Sequence, residues 1–411
     1  MSYLNLKKVL PVISICILQL FLGFFLNEDL STGGARKDFF DTFEAVKDYA
    51  NFHFNSYSLH TRHFPLHYLI LSIPHAIFEN IQLTRYFYFI FGMQIPLFLY
   101  LNLNLIFPSN KFNNLLISFS ILLFPYFRVS IIWANAHLTA LLFLIISNYF
   151  FLKYKKNENK KNIFLNLLFL SFATYSIQSY AVFFIYYLNF YFKSLDKLKF
   201  FYILVICFIF SLPGFYLVLF TPLGGKLAFS GNLSYTILIN SSIVFFFIIF
   251  FISNQKSFNT LKNQLQQFSY VELAVISILY LIFILSFQEP STAVGGGFFY
   301  KISYFIFGNK YLFFLITYFA IITIYLIFKI DKELFFIMFL NNLTSIAYYT
   351  SQRYFEPLLV VTLLIFSINF LNKNLLYKTK NIFNFYIITL MYLIMAFINN
   401  SYRYSVNLPI N

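Results

Sequence analysis

Charged residues are scarce in this sequence. They make up 10% of its 411 residues, against roughly 25% in an average soluble domain. This scarcity sets aside soluble enzymes, nucleic-acid binders and disordered scaffolds as classes for the chain. It leaves an integral membrane protein.

Cysteine is scarce as well, since the chain has only Cys16 and Cys207, each within an apolar run. A thiol in such a run behaves as a small hydrophobic group, so the sequence offers no disulfide framework and no thiolate metal site. Acidic residues number 14, against 29 lysines and arginines. In a membrane protein a basic excess mostly marks cytoplasmic loops, and we expect no nucleic-acid partner.

Hydrophobic residues, in contrast, make up 60% of the chain and aromatic residues 23%. Apolar runs recur from end to end, which predicts an all-α, polytopic transmembrane bundle of about 11–14 spans in one membrane domain, residues 1–411. The predicted spans are 9–26, 65–79, 86–106, 113–127, 137–152, 162–177, 179–192, 200–220, 233–252, 270–287, 311–328, 333–350, 354–371 and 381–399.

The first span sets the orientation of the bundle. Residues 9–26 follow Lys7 and Lys8, and a signal peptide is the alternative interpretation. No small-residue cleavage site follows, however, so we predict a retained helix with its N-terminus inside. Residues 27–63 then form the longest outer loop and residues 288–310 the second.

The later basic loops alternate across the predicted spans, which places all five on the cytoplasmic side. Counting spans backward from Lys153 conflicts with counting forward from the first helix. We therefore expect one re-entrant or wrongly assigned segment between residues 65 and 127. The five loops are 153–161, 193–199, 256–262, 329–332 and 373–380.

The first outer loop contains a segment of helical period, residues 38–50. Its apolar residues share one face and its acidic residues the other, which predicts an amphipathic juxtamembrane helix lying apolar side down on the membrane. One interpretation of the acidic face is a solvated surface. The other is that Asp38 or Asp41 serves as a general base, or helps hold a divalent cation such as Mg²⁺ or Mn²⁺ against a phosphate.

Histidines concentrate just after this segment, where five of the chain's six lie between residues 53 and 75. His63 and His67 flank Pro65, which fits the first turn of the second span. Three such histidines would be needed for a zinc site, but Pro65 keeps His63 and His67 from being a simple one-face pair. Proton transfer is the other role for such residues.

Three further outer segments contain candidate functional residues. Trp133, the only tryptophan, and Asn135 fit an interface anchor and a helix cap. Gln288 to Gly297 fits a flexible loop, with a phosphate cradle as the alternative. Arg353 stands at the mouth of a long apolar helix, where it pairs either with Glu356 or with a lipid phosphate.

Together these features resemble the GT-C fold glycosyltransferases, polytopic enzymes with polyprenyl-phosphate sugar donors that include protein O-mannosyltransferases and aminoarabinose transferases of lipid A. Such relatives have an adjacent acidic pair, whereas Asp38 and Asp41 are separated by two residues. The residues that carry the resemblance are Asp38, Asp41, Pro65, Leu66, His67, Tyr68, Asn135, Arg353, Tyr354 and Pro357.

The resemblance implies transfer of a sugar, with inversion, to a hydroxyl of a lipid, glycan or protein acceptor. By this analogy Asp38 is the base, Asp41 a second acidic contact and Arg353 a ligand of the donor phosphate. His63, His67 and Asn135 would then line the substrate cavity. The enzyme would lie among the lipids of the inner membrane, with its site facing the periplasm.

Two other functions remain open from the sequence. A flippase or transporter of lipid-linked glycans would place charges deep within spans, whereas the clearest charges here lie at span ends. A glycan polymerase or ligase would use a later catalytic loop, for which residues 288–310 with Glu289 are the candidate.

Overall fold

The structure is a computed structural model that describes residues 3–31, 33–53, 63–220, 233–252, 255–288, 297–344, 352–366 and 379–405. These residues form α-helices joined by turns and short 3-10 segments, and no β-strand occurs among them. The predicted all-α class is confirmed for these ranges. The chain divides into two compact units, which are described separately.

The first unit comprises Met1–Ala228 and Ala396–Leu408. Its helices before residue 228 are α1 (Tyr3–Phe25), α2 (Gly34–Ala50), α3 (Leu66–Phe78), α4 (Ile81–Gly92), α5 (Gln94–Ile106), α6 (Lys111–Ser120), α7 (Pro125–Ile132), α8 (Ala136–Asn157), α9 (Lys160–Ser176), α10 (Phe183–Ser194) and α11 (Lys197–Phe220).

The second unit comprises Phe229–Met395 and Pro409–Asn411. Its helices are α12 (Leu233–Ile252), α13 (Gln255–Gln266), α14 (Tyr270–Leu285), α15 (Phe298–Phe307), α16 (Tyr311–Ile330), α17 (Lys332–Thr344), α18 (Gln352–Phe366) and the part of α19 (Thr379–Ser405) that precedes Ala396.

Five helical stretches among the described residues are long and apolar enough to cross a membrane. Four of the other predicted spans coincide with shorter apolar stretches of 10–17 residues. The described residues thus support a helical membrane protein, and the number of spans in the whole chain stays a prediction. The five stretches are Ile81–Ile106, Ala136–Asn157, Lys197–Phe220, Tyr311–Ile330 and Asn381–Ser401.

The predicted span 113–127 is interrupted. Pro108–Leu123 and Pro125–Ile132 meet at an angle of 72°, as a broken span or a re-entrant segment. Pro125 starts α7 because proline fits the first turn of a helix but cannot continue the preceding one. The irregular segment that the charge pattern required between residues 65 and 127 has its counterpart at this break.

The core of the first unit is built around α8, which packs mainly on α9 and α5. Buried amides join these apolar helices. Asn148 donates to the Asn102 side chain at 2.9 Å and Asn166 to the Ser147 hydroxyl at 2.8 Å. Tyr187 of α10 completes the first pair by donating to Asn148 at 3.2 Å. Because buried polar groups need partners, these contacts fix the register of the helices.

The second unit packs α12 on α16 and α17 on α18. Asn341 of α17 donates to the Thr362 hydroxyl of α18 at 2.6 Å. At the end of α16, Lys329 pairs with Glu272 of α14 at 2.6 Å. The helix pairs of this unit are therefore joined by polar contacts as well as by apolar packing.

Candidate functional site

The start of α2 is fixed by two side chains that follow α1. Asp29 is 7% exposed and accepts from the backbone N–H groups of Ser31 and Arg36, at 2.9 and 2.8 Å. The Ser31 hydroxyl accepts from the N–H of Ala35 at 2.8 Å. Since the first N–H groups of a helix lack internal partners, Asp29 and Ser31 together determine where the acidic helix begins.

The apolar face of α2 packs against protein. Phe39, Phe43 and Val46 are buried; the Phe43 ring lies 5.0 Å from that of His75 and the Phe39 ring 6.2 Å from Trp133. The prediction that this face lies down on the membrane is therefore wrong. Helix α3 and the turn after α7 supply the apolar surface that the sequence pattern assigned to lipid.

The two predicted catalytic acids lie on the other side of this helix. Asp41 is exposed and Asp38 is half-buried, one turn further toward the N-terminus. The Thr42 hydroxyl donates to the backbone carbonyl of Asp38 at 2.8 Å. Both carboxylates thus belong to a helix whose start and buried face are tightly held.

Next to Asp29, Glu28 forms a buried ion pair with Arg128 of α7. The side chains are 9% and 2% exposed, and Nη2 of Arg128 lies 2.6 Å from Oε2 of Glu28. Nε donates to the other carboxylate oxygen at 3.0 Å, so the pair is bidentate. Gln19 of α1 also accepts from this guanidinium. A charge in such a place requires a partner, which explains why these groups occur together.

A second buried arginine, Arg85 of α4, lies against Trp133, 4.0 Å from the ring centroid. Its Nε and Nη2 donate to the carbonyl of Ile132 at 3.2 Å, and its Nη1 donates to Asn27 and Gln82 at 2.8 and 2.9 Å. Neutral oxygens and an aromatic face therefore solvate this charge.

Trp133 is 2% exposed and donates its indole N–H to the carbonyl of Glu28 at 2.8 Å. The prediction that it anchors the chain at a membrane interface is wrong, because an interfacial tryptophan leaves one edge in the headgroup region. Here both its ring and its N–H are occupied by protein.

A hydrogen-bonded chain connects this turn with His67. Tyr88, one turn after Arg85 on α4, donates to the backbone carbonyl of Asn135 at 2.8 Å. Its hydroxyl oxygen lies 2.9 Å from that of Thr139, which lies 2.8 Å from Nδ1 of His67. If the Tyr88 proton stays on that carbonyl, Thr139 donates to Tyr88 and accepts from Nδ1–H of His67.

Asn135 itself caps α8. Its side chain accepts from the backbone N–H of His137 at 2.9 Å, which confirms the predicted helix cap. The ring of His137 lies 5.5 Å from that of His63. Three of the predicted substrate-binding residues, His63, His67 and Asn135, are thus brought into one region by α3 and the start of α8.

The groups around the turn Ile132–Asn135 form one contiguous cluster, called the polar centre below. Arg85 donates to the backbone carbonyl at the first end of the turn, and Tyr88 donates to the carbonyl of Asn135 at the other end. The carbonyl of Glu28 accepts from the indole of the turn's tryptophan. Asn135 leads on to the region that contains the histidines. No set of three or more metal-ligating side chains is found within the described ranges. The polar centre consists of Glu28, Asp29, His67, Arg85, Tyr88, Arg128, Trp133, Asn135 and Thr139.

Arg353 belongs to the second unit, in the first turn of α18. Its guanidinium lies 4.6 Å from the ring centroid of Tyr354 and donates to that hydroxyl at 2.6 Å. Glu356, the partner predicted from spacing, is fully buried and accepts from Tyr392 at 2.5 Å. The glycines at 295 and 296, together with Glu289, lie outside the described residues.

Sequence reasoning missed Glu28, Arg85, Arg128 and Tyr88. Two signals could have found the charged ones. Glu28 and Asp29 are adjacent acidic residues that directly follow the first apolar run. Arg85 and Arg128 interrupt apolar runs, where a charge requires a partner or a function.

Comparison with protein-family models, with curated protein sequences and with solved structures finds no match to this chain. The class indicated by the described helices is a helical membrane protein. Within it, the first unit has a buried polar centre beside an acidic helix.

Proposed function

We propose that this protein is a membrane glycosyltransferase of the GT-C type, which moves a sugar from a polyprenyl-phosphate donor to a hydroxyl acceptor. The observation that carries the proposal is the polar centre: buried ionisable groups concentrate where α1 ends and the acidic helix α2 begins. Charges within apolar helix bundles are costly and usually serve a function.

In this proposal Asp38 deprotonates the acceptor hydroxyl and Asp41 provides a second acidic contact. Glu28 and Asp29 have different tasks. Both oxygens of Glu28 contact Arg128, and both oxygens of Asp29 accept hydrogen bonds at the start of α2. Asp29 holds the start of the helix that presents Asp38, and Glu28 joins the end of α1 to α7 beside it. A preorganised base requires such a rigid surrounding.

The proposed contacts with the donor and the acceptor are those that the GT-C resemblance implies. His63, His67 and Asn135 contact the sugar or the acceptor. A divalent cation, Mg²⁺ or Mn²⁺, is a candidate for neutralising the donor phosphate beside Asp38 or Asp41. The proposed location is the inner membrane, with the site on the periplasmic face.

The test is transfer of radiolabelled sugar by the purified full chain in detergent, with a panel of polyprenyl-phosphate sugars as donors. We expect Asp38→Asn to lower kcat by a factor of about 100 or more, since a positioned base contributes about that much. Asp48→Asn, on the same helix, is the matched control and should stay within about twofold. Equal rates for the two variants would remove Asp38 from the role of base.

A second candidate is a flippase or transporter of lipid-linked glycans. It is favoured by full burial of Glu356 on α18 and of Arg85 within the stretch Ile81–Ile106, since a translocation path uses charges inside spans. Translocation of a fluorescent lipid-linked sugar across liposomes distinguishes the two functions. A transporter would move the lipid-linked sugar across the membrane without changing its glycan. Glu356→Gln should abolish this movement.

A further inference from the structure

Helix α11 contains an interruption in its hydrogen-bond ladder. Pro213 has no N–H, so the carbonyl of Ile209 lacks its usual partner four residues later. The following pair, Phe210 and Gly214, is bridged by a side chain from another helix. Tyr175 of α9 donates to the Phe210 carbonyl at 2.5 Å and accepts from the N–H of Gly214 at 3.0 Å.

A side chain inserted between a carbonyl and the N–H group four residues later is a recognised cause of helix bending. Glycine adds freedom at the same point, costing about 1 kcal/mol relative to alanine within a helix. Proline, glycine and a bridging hydroxyl therefore coincide within one turn of α11.

The rest of α11 is weakly held by the first unit. Ile203 is its only buried residue, so little packing opposes a movement of its last turns. The hydroxyl of Tyr175 is the specific contact at the point where such a movement would begin.

This point lies beside the predicted site. The ring of Tyr175 is 5.9 Å from that of Phe64, which stands between His63 and Pro65 at the start of α3. A Cβ atom at Gly214 would lie 3.5 Å from Tyr175 and 3.8 Å from Phe64. Gly214 of α11 thus lies next to Phe64, the residue that directly follows His63.

We infer that α11 is a gate, hinged at Pro213–Gly214 and latched by the Tyr175 hydroxyl, which controls access to the start of α3. Release of the latch lets residues 213–220 move away from Phe64. The role of the gate in admitting the lipid-linked donor rests on the proposed function. The hinge itself does not depend on that function.

The hinge is tested by the distance between spin labels at the ends of α11. Leu198→Cys and Leu219→Cys place labels at positions that are 65% and 70% exposed, about 32 Å apart at the rise of a straight helix. The background is the full chain with Cys16→Ala and Cys207→Ala, in nanodiscs. Electron–electron double resonance then reports the distribution of the distance.

We expect one narrow distance in the background and an added shorter population, at least twice the background level, in Tyr175→Phe. Tyr187→Phe is the matched control, because it removes a buried hydroxyl that bonds Asn148 instead of α11. Gly214→Ala, for which the space exists, should suppress the shorter population when combined with Tyr175→Phe.

Identical distributions for Tyr175→Phe and Tyr187→Phe would overturn the latch. If Tyr175→Phe does not fold, warming the background tests the hinge instead. The shorter population should grow with temperature in the background but not in the double variant Pro213→Ala with Gly214→Ala, and equal growth in both would overturn the hinge. Absence of sugar transfer by the wild-type protein would contradict the proposed function and leave these distances unaffected.

Discussion

Glu28 and Arg128 lie 100 residues apart in the sequence and form a buried, bidentate ion pair, 2.6 Å at its shorter contact. The pair joins the end of α1 to α7, beside the turn that carries Trp133. It lies next to Asp29, whose carboxylate holds the start of the acidic helix, and the contribution of the pair to stability can be tested directly.

Replacing Glu28 with glutamine leaves the Arg128 charge buried without a carboxylate. We expect a loss of about 3 kcal/mol in the free energy of unfolding, since breaking one side of a buried pair leaves an uncompensated charge. Thermal unfolding in detergent measures the loss. The double variant Glu28→Gln, Arg128→Met should recover much of it, and no recovery would contradict the ion-pair account.

Gly23 allows the close approach of this pair. A Cβ atom there would lie 2.7 Å from Oε2 of Glu28 and 2.8 Å from Nη2 of Arg128, closer than non-bonded atoms approach. Gly23→Ala should therefore lower the unfolding temperature, whereas Gly214→Ala, where the space is adequate, should leave it unchanged or raise it. A harmless Gly23→Ala would show that the pair is looser than described.

Arg85→Lys tests the solvation of the second buried arginine. Lysine cannot reach Ile132, Asn27 and Gln82 together or stack on the indole as guanidinium does. We expect a loss of about 2 kcal/mol in stability and a shift in fluorescence emission, which reports on Trp133 alone because the chain has one tryptophan. Unchanged emission would contradict the stacking.

If Tyr88 donates to the Asn135 carbonyl and not to Thr139, Nδ1 of His67 carries a proton. Nitrogen-15 NMR of labelled His67 measures this, and a signal of an unprotonated Nδ1 would contradict it. Tyr88→Phe leaves the Asn135 carbonyl without its buried donor, so we expect a loss of about 1–3 kcal/mol. Tyr187→Phe provides a comparison outside the polar centre.

Asp331 predicts a pH dependence of stability in the second unit. Burial raises the pKa of its carboxyl above the ordinary 3.8, while the carboxylate accepts from the N–H of Leu334 at 3.0 Å. The folded state then binds the proton more tightly than the unfolded state. Its contribution to stability is therefore present below pH 3.8 and is lost as the pH rises through the raised pKa.

Asparagine at this position keeps the helix cap but cannot titrate. The unfolding midpoint of Asp331→Asn relative to wild type should therefore rise between pH 3.5 and pH 7. A constant difference across that range would show that burial does not disfavour the charged carboxyl.

Local features of the fold could be predicted from the sequence because they depend on neighbouring residues. Asn135 caps α8, Pro65 directly precedes α3, and the apolar residues Phe39 and Phe43 share the buried face of α2. Hydropathy also located the apolar helices, five of which are long enough to span among the described residues. Pro125 interrupts the predicted span 113–127, which composition alone made continuous.

The polar centre could not be predicted in the same way, since its contacts join distant residues. Arg128 meets Glu28 across 100 positions, and Tyr88 meets Thr139 across 51. The surface that covers α2 was assigned to lipid because amphipathicity does not distinguish lipid from protein. Trp133 was placed at an interface for the same reason.

The central claim is sugar transfer from a polyprenyl-phosphate donor with Asp38 as the base. The most direct measurement compares transfer rates of the wild type, Asp38→Asn and Asp48→Asn, purified and folded to the same extent. The account predicts transfer by the wild type and Asp48→Asn, and a rate at least about 100-fold lower for Asp38→Asn. Equal rates for both variants would contradict the assignment of the base, and no transfer by the wild type from any donor tested would contradict the proposed function.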